Sequence, residues 1–311
     1  MNFTRRDIGK LALASLPVAN LLAKPNSKFG GVQIGINAPY SYQKMQANAE
    51  EVLDITTGLG ISAVELRTQP VEASLGAPKI PGGSPRDLTK ATPEQLVGLK
   101  VLNEWRVGLS MDKVKAIRKK YEDAGVLIQI VKVDAIHLMP PDVIDYFFTV
   151  VKTLGGKAMS TEIPLSKTKM LGEFAAKHKI MVGYHGHANM HDAEAFAMPD
   201  SWETAMSFSP YNGINLDIGH FIAGNNTSPI EFLKKHHKRV THIHLKDRKM
   251  NNGPNAVWGE GETPIAEVLQ LMKKEKYNFQ ATIEFEYKVP TGSTVLAEIG
   301  KCVEFCKKAL A

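Results

Sequence analysis

The sequence predicts an α/β protein built as a single-domain (β/α)8 barrel, the TIM barrel, and three observations support this prediction. After residue 30, eight short β-rich runs alternate with eight helical stretches, which is the pattern of repeated βαβ units. The 311 residues suffice for one barrel of about 250 residues with additions, although two compact domains would also fit that length. No G-x-G-x-x-G loop follows the first run, so neither an open dinucleotide-binding sheet nor a nicotinamide cofactor is indicated.

The predicted strands are short runs bounded by turn residues. In chain order they cover 32–38, 62–68, 127–134, 158–163, 180–187, 213–219, 240–246 and 281–287. The predicted helices lie at 44–58, 111–124, 141–155, 167–178, 193–208, 228–238, 264–276 and 294–309. Eight strand–helix pairs without a sequence repeat favour a closed barrel over an open sheet.

Local signals mark the ends of several of these helices. Ser110 precedes the helix at 111–124 and can cap it. Proline stands at three helix starts, in Pro140-Pro141, Ser228-Pro229 and Thr263-Pro264. Glycine stands just beyond two helix ends, at Gly125 and at Gly155-Gly156. Proline favours the first helical turn and glycine the left-handed position after the last one, so these boundaries support the assignment.

One segment, residues 69–109, interrupts the alternation between the second strand and its helix. Its first half is rich in proline and glycine and includes the run PGGSP at 81–85. Loops of this length inside a compact domain usually cover or bind a ligand. Because the segment follows a barrel strand, we expect a binding loop at the catalytic rim within a barrel of residues 30–311; a partly disordered surface insertion is the alternative.

The amino-terminal residues 1–23 are predicted to be a signal peptide of the twin-arginine type. Arg5 and Arg6 precede an apolar run from Leu11 to Leu22, as in such signals. The run is shorter than the roughly 20 residues that span a bilayer. We therefore expect an exported, periplasmic protein with no stable membrane span after processing; a membrane-anchored form and an ordinary amphipathic helix are the alternatives.

The composition is that of a globular protein and does not indicate a nucleic-acid partner. Hydrophobic residues make up 43% and charged residues 23% of the chain. The formal net charge is +6, and its one dense basic patch, at 234–239, closes a predicted helix, where cations suit the helix dipole. Cys302 and Cys306 are too few for a disulfide framework, and we expect both on the core face of the last helix.

Polar side chains occupy one face of five consecutive predicted strands, where a barrel interior is usually apolar. Alternation along each strand assigns to this face Glu162, His185, His187, Asp217, His242, His244, Lys246, Glu284 and Glu286. Taken singly, each could be a satisfied core residue or a loop cap. Because buried ionisable groups are costly unless they pair or bind a metal, the joint pattern predicts one divalent metal ion. The oxygen-rich, cysteine-free set favours Mn²⁺ or Mg²⁺, with Zn²⁺ or Co²⁺ as alternatives.

The motifs on these strands resemble those of the xylose isomerase-like barrel family, which includes many sugar phosphate isomerase/epimerases. They are NLDIGH at 215–220, HIHLKDR at 242–248 and IEFE at 283–286, with YHGH at 184–187 and GEGE at 259–262. The resemblance spans residues 30–310 and implies that Asp217, His244 and Glu284 bind the metal. Many members add a glutamate from the fifth strand, where this chain has His185 and His187. We therefore expect Glu162, one strand earlier, as the fourth ligand.

The expected reaction is metal-dependent isomerisation or epimerisation of a sugar, by proton transfer next to a carbonyl through an enediolate. In this hypothesis Glu162 or Glu284 removes the proton and His187 or the opposite carboxylate returns it. Lys246 neutralises charge on a substrate oxygen; an ion pair with Asp247 or Glu286 is its alternative role. The expected substrate contacts are Arg67, which could instead pair with Glu65, together with His185, His220, Trp258 and Glu260.

Three other functions fit parts of the sequence. A keto-sugar lyase or hydratase would use the same residues, because elimination also passes through an enolate. A non-catalytic sugar-binding protein is a less favoured alternative. A DNA-repair endonuclease of the same barrel class would need three metals and a basic DNA face, and the predicted export argues against it. The expected partner is therefore a small sugar, and oligomerisation is left open.

Overall fold

Eight parallel strands close into a barrel in the computed structural model, which describes residues 24–85 and 87–311. A two-residue strand, Lys28–Phe29 (β1), pairs antiparallel with the first barrel strand. The barrel strands are Val32–Ala38 (β2), Ala63–Arg67 (β3), Leu127–Lys132 (β4), Ala158–Thr161 (β5), Met181–His185 (β6), Asn212–Asp217 (β7), Val240–Leu245 (β8) and Gln280–Ile283 (β9). Strand β9 pairs back with β2, with Ile34 opposite Ala281. The predicted TIM barrel is confirmed.

An outer layer of helices surrounds the barrel. The helices are Ala49–Gly58 (α1), Thr68–Ser74 (α2), Pro93–Gly108 (α3), Met111–Asp123 (α4), Pro141–Thr153 (α5), Thr168–His178 (α6), Pro199–Phe208 (α7), Ile218–Asn225 (α8), Ile230–His236 (α9), Ile265–Glu275 (α10) and Val295–Ala309 (α11). Helix α1 starts five residues later than predicted, because Asn48 and Glu51 form a reciprocal capping box there. Helices α2, α3 and α8 were not predicted.

The segment at 69–109 is largely helical, unlike the binding loop that its proline- and glycine-rich first half predicts. Helix α3 packs beside α5 in the outer layer. Its Arg106 donates to both carboxylate oxygens of Glu72 on α2, at 2.7 and 3.0 Å, and lies 4.9 Å from the centroid of the Phe147 ring. This buried, bidentate ion pair joins the two helices of the segment, and the contact of Arg106 with Phe147 on α5 places the segment against the outer layer.

The alternation of side chains divides each late strand between two environments. Leu216, Ile243 and Ile283 are fully buried in the apolar core, while the intervening Asp217 and His244 lie close together on the other face. The carboxyl ends of all barrel strands meet at one end, where sites of such barrels form. Polar inward-facing residues are therefore brought together at this mouth.

Both cysteines, Cys302 and Cys306, are free and buried on α11, as predicted. Residues 1–23, with the predicted signal peptide, lie outside the described residues. Across residues 24–85 and 87–311, no helix combines the length and apolar character that crossing a bilayer requires.

Candidate active site

Asp217, His244 and Glu284 converge at the mouth of the barrel, from the ends of β7, β8 and β9. The Nδ1 atom of His244 lies 3.2 Å from Glu284 Oε2 and 4.0 Å from Asp217 Oδ2. All three side chains are almost completely buried. The convergence expected for these three residues is therefore present in the structure.

Two further imidazoles complete the cluster. One ligand atom from each of His185, Asp217, His220 and Glu284 lies within 4.8 Å of the others. The ring of His185 also lies 4.6 Å from that of His244, measured between centroids. Side chains from four consecutive strands and the start of α8 thus surround one small volume.

The two carboxylates of the cluster each have one oxygen in a hydrogen bond of good geometry. Glu284 Oε1 accepts from Asn37 Nδ2 at 2.7 Å, and Asp217 Oδ1 accepts from the backbone N–H of His220 at 2.7 Å. Their other oxygens are buried and have no hydrogen bond of good geometry within the described residues, although the ammonium group of Lys246 lies 3.1 Å from Asp217 Oδ2 and 2.8 Å from Glu284 Oε2. Buried carboxylate oxygens that gather around a cation, with imidazole nitrogens beside them, are the ligand atoms that divalent metals take, so the residues present fit a divalent metal ion.

Glu65 on β3 determines how the His244 ring is presented. Its Oε2 lies 2.5 Å from His244 Nε2 and 3.4 Å from His242 Nε2. Because a carboxylate accepts hydrogen bonds, Nε2 of His244 must carry a proton, and Nδ1 is the nitrogen turned toward Asp217 and Glu284. A carboxylate behind a ligating histidine is a common way to orient it.

The sequence-based interpretation missed this role of Glu65 and the contact of Asn37 with Glu284. In the sequence alone, Glu65 suggests only a partner for Arg67. Its position on the face shared with Arg67, which points to the barrel interior, was the available signal.

Burial and neighbouring charges shift the pKa values of the residues in this cluster. Burial raises the pKa of Asp217 to about 7, against the opposing effect of Lys246. Burial would lower the pKa of His244, but Glu284 and Glu65 outweigh it and raise that pKa to about 10. With no cation bound, the imidazole therefore holds a proton between carboxylates, and a divalent ion would compete with that proton.

His220 is less suited than His185 or His244 to bind a metal. Its Nδ1 lies 2.6 Å from Nη1 of Arg248, and a guanidinium can only donate. Its Nε2 lies 2.9 Å from Lys246 Nζ, which can also only donate, so both ring nitrogens already face cationic donors. Burial and the charge of Lys246 hold the pKa of His220 well below its usual range, which keeps the ring neutral.

Lys246 places an ammonium group beside carboxylate oxygens of the cluster. Its Nζ lies 3.1 Å from Asp217 Oδ2, 2.8 Å from Glu284 Oε2 and 2.6 Å from Glu286 Oε2. Burial lowers the pKa of Lys246, but these carboxylates outweigh burial and raise it above the ordinary value. Of its two alternative ion pairs, the one with Glu286 forms.

Asp247 instead holds the loop after β8. Its carboxylate accepts from the backbone N–H groups of Gly259, Gly261 and Thr263 at 2.8, 3.0 and 3.1 Å. A Cβ atom at Gly261 would lie 1.8 Å from Asp247 Oδ1, so only glycine permits this approach. Asp247 thus positions the loop without entering the cluster.

The structure places Glu162, the expected fourth ligand, outside this cluster. It forms an ion pair with the buried Lys132 of β4, and its side chain is 42% exposed. Its Oε2 lies 4.0 Å from His187 Nε2. Glu162 is therefore already neutralised by a neighbouring strand and sits with His187 at the rim, whereas His185 occupies the position deeper in the mouth.

The other expected substrate contacts are dispersed. Arg67 pairs with Asp134 at 2.5 Å rather than with Glu65, and its guanidinium lies 5.2 Å from the centroid of the Tyr40 ring. Trp258 packs edge-on against Phe305 of α11, 5.6 Å between centroids. Glu260 is exposed in the loop that Asp247 holds. Arg67 thus remains near the mouth, while Trp258 contacts the outer helical layer.

Comparison with known proteins gives consistent likenesses. The model of the family "Xylose isomerase-like TIM barrel" matches residues 161–308. An inosose dehydratase from Clostridium botulinum is 27% identical over 136 residues, 37% of this chain and 44% of that protein. The match thus spans less than half of the length of this curated relative.

Two solved structures show the same fold along most of the chain. A sugar phosphate isomerase/epimerase from Parabacteroides distasonis superposes with a TM-score of 0.57 at 15% identity, covering 95% of this chain and 100% of the other. The IolI protein, solved with a bound zinc atom, gives a TM-score of 0.58 at 14% identity, with 90% and 99% covered. The fold and the match over residues 161–308 therefore support the resemblance to the xylose isomerase-like TIM barrel family that the strand motifs indicate.

Proposed function

We propose that the protein is a metal-dependent sugar isomerase or epimerase of the xylose isomerase-like family. One observation carries the proposal: ligand atoms of His185, Asp217 and Glu284 lie within 4.8 Å of one another at the barrel mouth, and His244 Nδ1 lies 3.2 Å from Glu284 Oε2 and 4.0 Å from Asp217 Oδ2. Such a volume, at the carboxyl ends of barrel strands, is where catalysis occurs in this fold.

His185, Asp217, His244 and Glu284 would hold one divalent ion. This set replaces Glu162 with His185, because Glu162 is paired with Lys132. Two carboxylates and two imidazoles suit Mn²⁺, Co²⁺ or Zn²⁺ at least as well as Mg²⁺, which prefers oxygen ligands and keeps its waters. When bound, the ion would stabilise negative charge that develops on a substrate oxygen.

The remaining residues would handle protons and orient the substrate. Glu162 and His187, 4.0 Å apart at the rim, form a pair that can exchange the proton of a carbon next to a carbonyl. Lys132 outweighs burial and holds the pKa of Glu162 below its usual range, so this carboxylate is ready to accept a proton. Lys246 Nζ would donate hydrogen bonds to substrate oxygens, and the His220 ring, 2.9 Å from it, would line the same position.

A keto-sugar lyase or dehydratase is the second candidate. The same pair could remove the proton while an adjacent hydroxyl leaves, since both reactions begin by forming an enolate. The sequence identity of 27% to an inosose dehydratase over 136 residues favours this alternative.

We also propose that residues 1–23 are a twin-arginine signal and that residues 30–311 form one barrel domain. Export would favour a free or glycosidic sugar over a phosphorylated one as the substrate. Replacement of Arg5 and Arg6 by lysine should keep the protein out of the periplasmic fraction. Its unchanged appearance there would exclude this export route.

Metal analysis combined with proton exchange tests the proposed reaction. We expect about one divalent ion per chain and metal-dependent uptake of deuterium into a sugar, followed by NMR. The Glu284→Gln variant should lose both, while Glu286→Gln, a neighbour that does not belong to the proposed ligand set, should retain the ion. Metal binding without exchange on any sugar, together with tight sugar binding, would favour a sugar-binding protein. An elimination product would identify the lyase.

A further inference from the structure

We propose that a groove beside the barrel mouth binds a second sugar ring, so that the substrate is a glycoside rather than a free monosaccharide. The groove has a volume of about 520 Å³, and its polar lining includes Asn189, Asn226, Asn251 and Asn252. We call it the asparagine groove. The assignment of the second ring rests on the proposed function, which puts the reacting ring at the metal cluster.

The walls of the asparagine groove continue from the segments that carry the cluster. Residues 188–192 follow His187 directly, and 223–226 end helix α8, which begins after Asp217. Asn251 and Asn252 follow Arg248 in the loop after β8. The groove is therefore formed by the segments that follow the cluster residues in the chain, and Arg248 spans from His220 to Asn252 between the two.

The lining matches a neutral polyhydroxy ligand. Amide side chains both donate and accept, as vicinal hydroxyl groups require. Ala188, Met190 and Gly224 add an apolar surface against which the C–H face of a sugar ring can pack. Among the described residues that line the groove there is no lysine or arginine, and the lining includes the carboxylate of Asp192 beside His191. Arg248, which reaches Asn252, is already bonded to His220 and Gly253, so a phosphate or carboxylate would lack a free lysine or arginine in the groove.

A second groove provides the contrast within the same molecule. It has a volume of about 480 Å³ and lies at the amino-terminal end of the barrel strands, where Lys28, Lys157, Lys273 and Lys276 line it. Amide side chains line this groove as well, including Asn278, but four lysines accompany them. The two grooves therefore differ in charge: the groove at the end that carries the cluster has no lysine or arginine among its described lining residues.

Backbone contacts fix the far wall of the asparagine groove. The N–H of Asn251 donates to Asn226 Oδ1 at 2.6 Å, and that of Asn252 donates to the carbonyl oxygen of Ala223 at 2.7 Å. Asn226, Asn251 and Asn252 have φ values of 53°, 56° and 53°, a left-handed conformation that asparagine tolerates. The wall is therefore formed before any ligand binds.

Arg248 connects this wall to the cluster. Its Nη1 contacts His220 Nδ1 at 2.6 Å, while Nη2 donates to the carbonyl oxygen of Gly253 at 2.6 Å and reaches Asn252 Oδ1 at 3.4 Å. One guanidinium thus touches both the imidazole proposed to bind the first ring and the wall proposed to bind the second.

Saturation-transfer NMR on the metal-loaded protein tests the groove. Maltose, cellobiose, lactose and trehalose are compared with glucose and galactose. We expect the second ring of at least one disaccharide to receive saturation, and that disaccharide to bind roughly tenfold more tightly than its monosaccharide, as one or two hydrogen bonds provide. Saturation confined to one ring, with equal affinities, would overturn the proposal.

Variants separate the groove from the reaction. Asn189→Ala combined with Asn252→Gly, which preserves the left-handed backbone, should remove most of the tenfold preference and leave monosaccharide binding unchanged. Asn278→Ala, in the lysine-lined groove, is the matched control and should change neither the preference for the disaccharide nor the binding of the monosaccharide. A control that loses the preference equally would count against the asparagine groove. Saturation of the second ring without deuterium exchange on any sugar would support the groove and contradict the proposed reaction.

Discussion

The early and late strands of the barrel both carry buried charged residues at the mouth, but the ion pairing of these residues differs. On β3 and β4, Arg67 pairs with Asp134 and Lys132 pairs with Glu162, so each charge has a partner. At the ends of β7 and β9, Asp217 and Glu284 instead share one cation, because Lys246 Nζ lies 3.1 Å from Asp217 Oδ2 and 2.8 Å from Glu284 Oε2. One-to-one ion pairs fix structure, whereas two carboxylates around a single ammonium leave negative charge that a divalent cation can balance. The number of charged residues in a barrel mouth is therefore less informative than whether each charge has its own partner.

Glu65 lies on the early strand β3, but its carboxylate contacts histidines of the late strand β8. Its carboxylate crosses the barrel to His244 and His242 rather than pairing with its neighbour Arg67. Strand β3 thereby positions the late-strand cluster through the ring of His244. This division into a ligand-binding half and a supporting half can be tested by mutation.

Glu162→Gln should have the largest effect, because it should lower turnover strongly without changing the metal content. Loss of a proton-transfer group should lower turnover by roughly 10²- to 10⁴-fold, while the metal content stays at the wild-type level because Glu162 is not in the ligand set. Turnover and metal content measured on the same preparation distinguish a proton-transfer role of Glu162 from a metal-binding role. Loss of the ion would return Glu162 to the position of fourth ligand that the sequence predicted.

Glu65→Gln should have an intermediate effect. Replacing the acceptor behind His244 should weaken metal affinity by about 10- to 100-fold, as for other partners of ligating histidines, without preventing binding. A competitive titration with a chelator measures the change. Partial recovery in Glu65→Asp would support orientation of the ring as the cause, and an unchanged affinity in Glu65→Gln would remove the residue from the metal site.

Glu72→Gln should have the smallest effect on the site. It breaks the buried pair with Arg106 outside the barrel, so we expect the free energy of unfolding to fall by about 3 kcal/mol. Metal affinity at a temperature where the variant is folded should not change. A change in affinity comparable with that in Glu65→Gln would mean that general loosening, not the late-strand cluster, controls metal binding.

The fold could be predicted from the sequence because the strand–helix alternation is a local signal. The same period-two pattern predicted that Asp217, His244 and Glu284 share a face, and the structure brings them together. The helical character of 69–109 was not predicted, because the proline-rich run at 81–85 obscured the capping box of Thr92 and Gln95 that begins α3.

The parts of the site that could not be predicted depend on contacts between distant strands. Glu65 and His244 are separated by 179 residues, and nothing local in either strand indicates the contact. The pairing of Lys132 with Glu162 follows from the alignment of β4 and β5, in which Lys132 lies opposite Ser160. Strand parity identifies which residues face inward, but register decides which of them meet.

The most direct test of the central claim is a crystal structure of the protein grown with Mn²⁺, with an anomalous difference map collected to locate the ion. We expect one peak at the barrel mouth, within bonding distance of His185, Asp217, His244 and Glu284. A peak bound by Glu162 instead, or a fully ordered mouth without any peak at saturating Mn²⁺, would contradict it.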